Sequence, residues 1–437
     1  MNCRNAQQSR LRIKLKNNDI MSQSQEIETP SFTVSQVQQQ IQDTIVPVEE
    51  FEQISAVQGL NRILASDIVA GIDVPSFDNS AMDGYAFAEC DLRLHTELTI
   101  VGRSYAGHPF QNRLQPGQAV QITTGAQMPA YADSVLPQEL AIVREESILD
   151  IREIKIRRGQ HRRMRGEDLA AGKVALTKGT RLGPAELGLL AALGKTDIAV
   201  QRPLRVAIFS TGDELGLPGQ PLNPGCVYDS NRVTLHAMLT RFGAQVLDLG
   251  ILKDDPAEIK PAIVNIVPQA DVIITSGGVS NGAADFTRQV LQQCGHINFW
   301  SVNMRPGRPL AFGQINQGHD NSYVFGLPGN PVAMMAGFYF FVRPALQLLS
   351  GAPVSMTPAV KAIANMDMPK KVGRTEFQRG ICKINSNGNL HVSLTGEQGS
   401  GMLSSMAEAN CLIMLSPEQE DIVSGDTVKV LIFEGLL

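Results

Sequence analysis

The chain lacks any cysteine pair spaced for a metal or redox centre. Cys3, Cys90, Cys226, Cys294, Cys382 and Cys411 stand apart, and none forms a CxxC. Its seven histidines show neither HxH nor HxxxH spacing. These absences argue against a zinc site and a disulfide framework, and for a reducing cytoplasm. No apolar run reaches membrane-spanning length. Residues 331–342 come nearest, are broken by Arg343 and Pro344, and read as a buried helix. A net charge of −5 gives no general attraction to nucleic acid, so affinity for anions has to come from local sites. No Ser-His-Asp or Cys-His constellation supplies a protein nucleophile. The N-terminal stretch carries Arg4, Arg10, Arg12, Lys14 and Lys16 without an apolar core. It reads as a disordered basic tail over 1–30 rather than a secretory signal, with Met21 as an alternative start.

What is present is an ordinary globular composition. The 437 residues are 43% hydrophobic and 19% charged. That length suits about two to four domains. The most informative block is TSGGVSNGAAD, residues 275–285. It follows an apolar run, 271–275, that reads as a buried parallel strand, and it precedes a helix-like segment, 286–294. Glycines there let backbone N–H groups converge on an anion, and the helix N-terminus adds partial positive charge. Asp285 closes the block where a divalent metal on a bound phosphate would sit. The same residues also suit a plain tight turn between strand and helix.

Helix signals fall at 35–41, with Ser35 as N-cap, at 54–64 and at 184–193. Short alternating runs at 98–101, 118–122 and 133–136 predict a small β domain. From Pro203, strands at 205–210, 245–249 and 271–275 alternate with helices at 231–242 and 257–267. This alternation predicts a doubly wound parallel sheet. Further strands at 310–312 and 323–325 and a long helix at 331–349 follow. Beyond 353 the pattern is all-β, at 360–364, 376–384, 390–394 and 428–433.

Ligands of an open α/β sheet collect at the carboxyl ends of its strands. Three loops land there. STGDEL (210–215) brings Thr211, Gly212, Asp213 and Glu214. The glycine block brings Gly277, Gly278 and Ser280, and GLPGNP (326–331) brings Gly329 and Asn330. Together they point to a phosphate or nucleotide site. MRPGRP (304–309) sets Arg305 and Arg308 on a proline-stiffened loop. Their planar forks suit an oxyanion; a solvated surface turn is the other reading. YDSN (228–231), with Asp229 and Asn231, and the segment around Asp254 read as helix starts.

Adding FDNSAMDGYA (77–86), TTGAQMP (123–129), RGED (165–168), FQRG (377–380) and GEQGS (396–400), the chain from about residue 35 onward resembles the molybdopterin molybdenumtransferases. This is the MoeA family, to which the E domain of gephyrin is similar. The resemblance implies a multidomain α/β fold. Its parts are a discontinuous helical N-terminal domain (31–71 and 162–202), an inserted β domain (72–161), a molybdopterin-binding α/β domain (203–352) and a C-terminal β-barrel (353–437). It implies a cytoplasmic homodimer that inserts molybdenum from molybdate into adenylylated molybdopterin, releasing AMP and forming molybdenum cofactor with the help of Mg²⁺. A molybdopterin adenylyltransferase and molybdoenzyme-side acceptors are the implied protein partners; nucleic acid and membrane are not.

Carried over by motif, Asp285 is the implied Mg²⁺ ligand. Asp83, Asp168, Glu214 and Asp254 match acidic positions the family needs for activity. Arg305, Arg379 and Ser400 match oxyanion-binding positions, with Arg308 beside them, and Asp229 and Asn231 shape the pterin or nucleotide pocket. Asn281, Ala283, Ser301 and Ala333 depart from the usual family residues, and Arg305 and Arg308 replace commoner lysines. These departures bear on substrate affinity more than on fold. Three other readings stay open: a catalytically weakened pterin-binding paralogue, a scaffold of the gephyrin type, and an adenylyltransferase of the preceding step.

Overall fold

The computed structural model describes residues 31–278 and 286–433. They divide into two compact units. The first takes the described residues of Met1–Val46, Pro203–Leu349 and Val354–Leu437; the second takes Pro47–Arg202 and Ser350–Pro353.

The first unit is built on a seven-stranded sheet. Its order is Ser31–Phe32, His296–Val302, Pro309–Gln317, Asp320–Leu327, Val272–Ser276, Arg205–Thr211, Gln245–Leu252. The last four strands run parallel, with Val206 between Val246 and Val272, and Val272 opposite Tyr323. Pro309–Gln317 is antiparallel to both neighbours, so the sheet is mixed rather than wholly parallel. The cause is local. Only Gly318 and His319 separate it from Asp320–Leu327, whereas a parallel crossover needs a dozen or more residues.

Val272–Ser276 is buried along its whole length, which explains its unbroken apolar pattern. Ala207, Phe209, Ile273 and Val324 pack against Ile259 and Ile263 of the helix Pro256–Ile266 and against Val290 and Leu291 of Phe286–Cys294. Val206 and Ile208 alternate to the other face and are equally buried. Helices Ser230–Phe242 and Pro331–Leu349 contact the same strands, so both faces of the sheet are covered.

Pro331–Leu349 is long and apolar enough to span a membrane, but 89% of its apolar window is buried inside the protein. It accommodates Pro344 through a π-turn at Phe338–Val342. Proline has no N–H to offer the carbonyl four residues back. That carbonyl, of Phe340, accepts instead from Gln38 Nε2 at 2.9 Å. Gln38 lies on the helix Val34–Thr44, which buries Val37 and Ile41. The N-cap of that helix is Thr33 rather than Ser35. Thr33 Oγ1 accepts from the Gln36 N–H at 3.2 Å, and the Thr33 N–H donates to Gln36 Oε1 at 2.8 Å. This reciprocal capping box outcompetes a lone serine.

The same unit carries a closed five-stranded barrel. Thr375–Ile384 pairs with Leu390–Leu394, that strand with Val360–Ala364, then Thr427–Ile432, then Cys411–Leu415, which returns to Thr375–Ile384. Its core includes Met368, Val392, Ile413 and Val430. Met304–Arg305 adds in parallel beside Thr375 and Glu376 and ties the sheet's chain to the barrel.

The second unit holds a six-stranded sheet in the order Ser134–Pro137, Gly84–Phe87, Gln118–Ile122, Glu97–Ser104, Ile148–Asp150, Ile142–Arg144. Beside it, Phe51–Ser55 pairs with Asp197–Gln201 and Ile68–Val69 with Val174–Leu176. The helix expected at 54–64 is not formed. Ile54 belongs to a strand, Ala56–Gln58 is a single 3₁₀ turn, and Asn61 takes a positive φ of 64°. A Cβ on Gly59 would meet the Ala56 carbonyl at 2.9 Å, so the chain turns there instead of coiling on.

Candidate functional site

The carboxyl ends of the parallel strands open onto a cleft of about 610 Å³. Thr211, Glu214, Asp229, Asn231, Gly277, Gly329 and Asn330 line it, so the three expected loops do meet. Ser210, Tyr228 and Ser276, which belong to the same motifs but were not singled out as candidates, line it too.

Backbone packing sets the shape of this cleft. Gly277 has φ 98°, and a Cβ there would stand 2.9 Å from the Thr211 carbonyl. Gly278 has φ 65°, and its Cβ would collide with Thr287 Cβ at 2.4 Å. Both glycines are therefore required by close approach. The Gly277 N–H already donates to the Leu327 carbonyl at 3.0 Å and is not directed at an anion. For Gly277 the tight-turn reading thus prevails over the anion cradle. Val279, Ser280 and Asp285 lie outside the described residues, as do Asn281 and Ala283.

Asp229 is 1% exposed. Its carboxylate accepts from Ser210 Oγ, from the Arg232 N–H and from Arg232 Nε, each at 3.1 Å. It caps the helix Ser230–Phe242 and fixes the STGDEL loop in one act. Asn231 Nδ2 donates to Ser276 Oγ and to the Gly329 carbonyl, both at 2.7 Å. The Glu214 carboxylate folds over Gly212, whose Cβ would approach it to 2.6 Å. Asp213 is exposed, and Asp254 is half-buried in the loop that leaves Gln245–Leu252. Among the described residues the only charged side chains on this cleft are the carboxylates of Glu214 and Asp229; no lysine or arginine lines it.

The arginines gather elsewhere in the same unit. A second cleft, about 500 Å³, is lined by Arg305, Lys370, Lys371 and Arg379, with Glu376 and Asp421 as counter-charges. The Arg305 side chain is 58% exposed and stands 3.9 Å from Glu376. Arg308 Nε donates to Ser301 Oγ at 2.8 Å, so the departure at Ser301 has found a partner.

Arg379 lines this cleft, but its guanidinium is engaged inside the protein. It is fully buried, and its guanidinium donates to Ser405 Oγ and to the carbonyls of Glu397, Gln398 and Gly399 at 2.9–3.2 Å. Burial presses its pKa down, with a further push from Arg305. Its donors thus hold the GEQGS loop rather than standing open to an anion. Ser400 is separated from the arginine cleft's lining. Its carbonyl accepts from the Val332 N–H at 3.1 Å, and Gly401 and Leu403 after it line the first cleft.

Asp83 and Asp168 belong to the second unit. Asp83 accepts from the Thr124 N–H at 2.6 Å and from Thr124 Oγ1 at 2.8 Å, and these bonds hold its carboxyl below the usual range. The Asp168 N–H donates to the Val74 carbonyl at 3.1 Å. Asn79–Ser80 pairs with Arg162–Arg163, and Asp78 accepts from Arg162 and from the Arg165 N–H. The FDNSAMDGYA and RGED segments therefore form one structure.

Comparison with known proteins identifies three regions along the chain. Residues 32–194 match the MoeA N-terminal region (domain I and II), 207–348 a probable molybdopterin binding domain, and 361–433 the MoeA C-terminal region (domain IV). A molybdopterin molybdenumtransferase of Haemophilus influenzae is 41% identical over 407 residues, covering 93% of this chain and 100% of that protein. Another, from Bacillus subtilis, is 35% identical over 393 residues, covering 88% and 90%. The crystal structure of a molybdopterin biosynthesis moeA protein from Pyrococcus horikoshii OT3 superposes with a TM-score of 0.79 at 28% identity, over 92% of this chain and 100% of that one.

Proposed function

The chain belongs to the MoeA family of molybdopterin molybdenumtransferases, and from that premise we propose that it transfers molybdenum from molybdate to adenylylated molybdopterin, with release of AMP and formation of molybdenum cofactor. The observation that carries the proposal is the separation of charge between two clefts of one unit. Among the described residues, the first has glycine-rich loops and carboxylates but no lysine or arginine; the second has arginines and lysines.

Each cleft suits one substrate. The adenylylated pterin carries a pyrophosphate, which fits the sheet-end loops. The exposed Glu214 carboxylate facing a pyrophosphate would repel it unless a cation intervenes. Carboxylate oxygens are hard donors that match Mg²⁺; Glu214 fits this role, and Asp285 stays the ligand expected from the motif. When bound, Mg²⁺ would neutralise the pyrophosphate and draw charge from the bond that breaks. Molybdate is a dianion, and the Arg305 guanidinium at the mouth of the second cleft offers it charge and a planar fork. Arg308 is proposed to assist there, and Ser400 to act from the loop beside the first cleft.

The protein's own contribution is placement. Asp229 and Asn231 fix the loops, Thr211 and Gly277 bound the floor, and cleavage of the phosphoanhydride then needs no protein nucleophile. Asp83 and Asp168 are proposed as further acidic residues the reaction needs, in a cytoplasmic homodimer. An adenylyltransferase would supply the substrate and molybdoenzymes would receive the product.

The test is AMP release from adenylylated molybdopterin. Release should depend on molybdate, stop on chelation and return with Mg²⁺. Molybdate-independent release would favour the weakened paralogue. Synthesis of adenylylated pterin from ATP would favour the adenylyltransferase.

A further inference from the structure

Three loops converge on the first cleft, and one side chain ties two of them together. Asn231 is 7% exposed. A carbonyl oxygen only accepts, so the amide nitrogen has to face Gly329, and the orientation of the amide is settled by chemistry. Its second N–H reaches Ser276 Oγ on a different loop. Asn231 Oδ1, turned away from both, is buried without a hydrogen-bond partner. A leucine-sized apolar residue would avoid that orphan oxygen, so helix packing alone does not call for an amide here. The neighbouring Asp229 adds the third loop through Ser210.

The contact has a second effect. Ser276 Oγ accepts from Asn231, so its own hydrogen is left for another acceptor, and Ser276 lines the cleft where a ligand could supply one. In a cleft where no described residue is a lysine or arginine, a fixed hydroxyl donor matters to a phosphate oxygen. The loops also meet backbone to backbone: a Cβ on Gly329 would stand 3.9 Å from Gly277 Cα. A slip of either loop would change the cleft floor.

We propose that Asn231 is a positioning residue for the proposed reaction: it clamps the Ser276 and Gly329 loops together and turns the Ser276 hydroxyl into a donor for the phosphate of the bound nucleotide moiety. This rests on the functional reading above.

Hydrogen exchange of the full chain, with AMP titration in the presence of Mg²⁺, tests it. Asn231→Asp keeps the shape and removes both donors. Exchange at the Gly277 and Val332 amides should then quicken about 10- to 100-fold, while the helix Pro256–Ile266 stays protected. In Ser276→Ala the increase should be confined to Gly277, since the Gly329 contact survives. AMP affinity should fall about 10-fold in both variants. Unchanged protection in Asn231→Asp, or a rise spread over the whole unit, overturns the clamp. Unchanged AMP affinity in Ser276→Ala overturns the donor role. A parent that releases no AMP from adenylylated molybdopterin defeats the proposed reaction, and the exchange pattern still judges the clamp.

Discussion

Replacing Arg379 by alanine separates two roles for a buried guanidinium. In the structure it serves the carbonyls of Glu397, Gln398 and Gly399 and the hydroxyl of Ser405. Each buried acceptor left unmet costs about 1–3 kcal/mol. Glu397 and Gly399 are exposed residues whose carbonyls can rehydrate, which trims the sum, while the vacated side-chain volume adds to it. We therefore expect Arg379→Ala to lower stability by ~3–5 kcal/mol. Urea unfolding gives the total, and hydrogen exchange over 396–405 locates it. Arg379→Lys should fall between, because an ammonium cannot reproduce the fork. The Val332–Ser400 bond should loosen with the loop. The reasoning fails if Arg379→Ala unfolds within about 0.5 kcal/mol of the parent while molybdate binding drops tenfold. That result would mean the guanidinium faces the ligand.

Three other substitutions probe separate parts of the fold. Gly278→Ala should lose about 2–4 kcal/mol from its left-handed backbone and the clash with Thr287; thermal denaturation reads this. Gln38→Ala leaves the Phe340 carbonyl unmet and should cost about 1–3 kcal/mol in urea unfolding, with Gln38→Glu no better. Asp83 has a folded pKa below its unfolded value of about 3.9. Its stabilisation is thus full above the unfolded value and lost as pH falls through the folded one. Asp83→Asn should flatten that part of the acid unfolding curve, and an unchanged curve would refute the Thr124 contact.

Local signals carried much of this architecture. The apolar run ending at Thr275 and the Asp255 cap with Pro256 after it mark a strand and a helix start from neighbours alone. The sheet-end loops could be inferred to meet because ligands collect at carboxyl ends. Other features had no local signal. His296–Val302 was missed because its burial does not alternate cleanly. The Asn231 contacts join residues 45 and 98 positions apart, which no window of sequence contains. Motif matching picked Arg379 as important but could not say which way its donors point. A helix pattern at 54–64 lost to turn geometry at Gly59 and Asn61.

The bond from Gln38 to Phe340 spans 302 positions, and it orders events during synthesis. At about 5–20 residues per second, the helix Val34–Thr44 waits roughly 15–60 seconds for the carbonyl it serves. Almost all of the second unit, Pro47–Arg202, emerges during that wait. The apolar face of Val37 and Ile41 is uncovered meanwhile. A nascent chain stalled before Phe340 should therefore protect the second unit from protease while leaving the N-terminal helix open to cleavage and to chaperones.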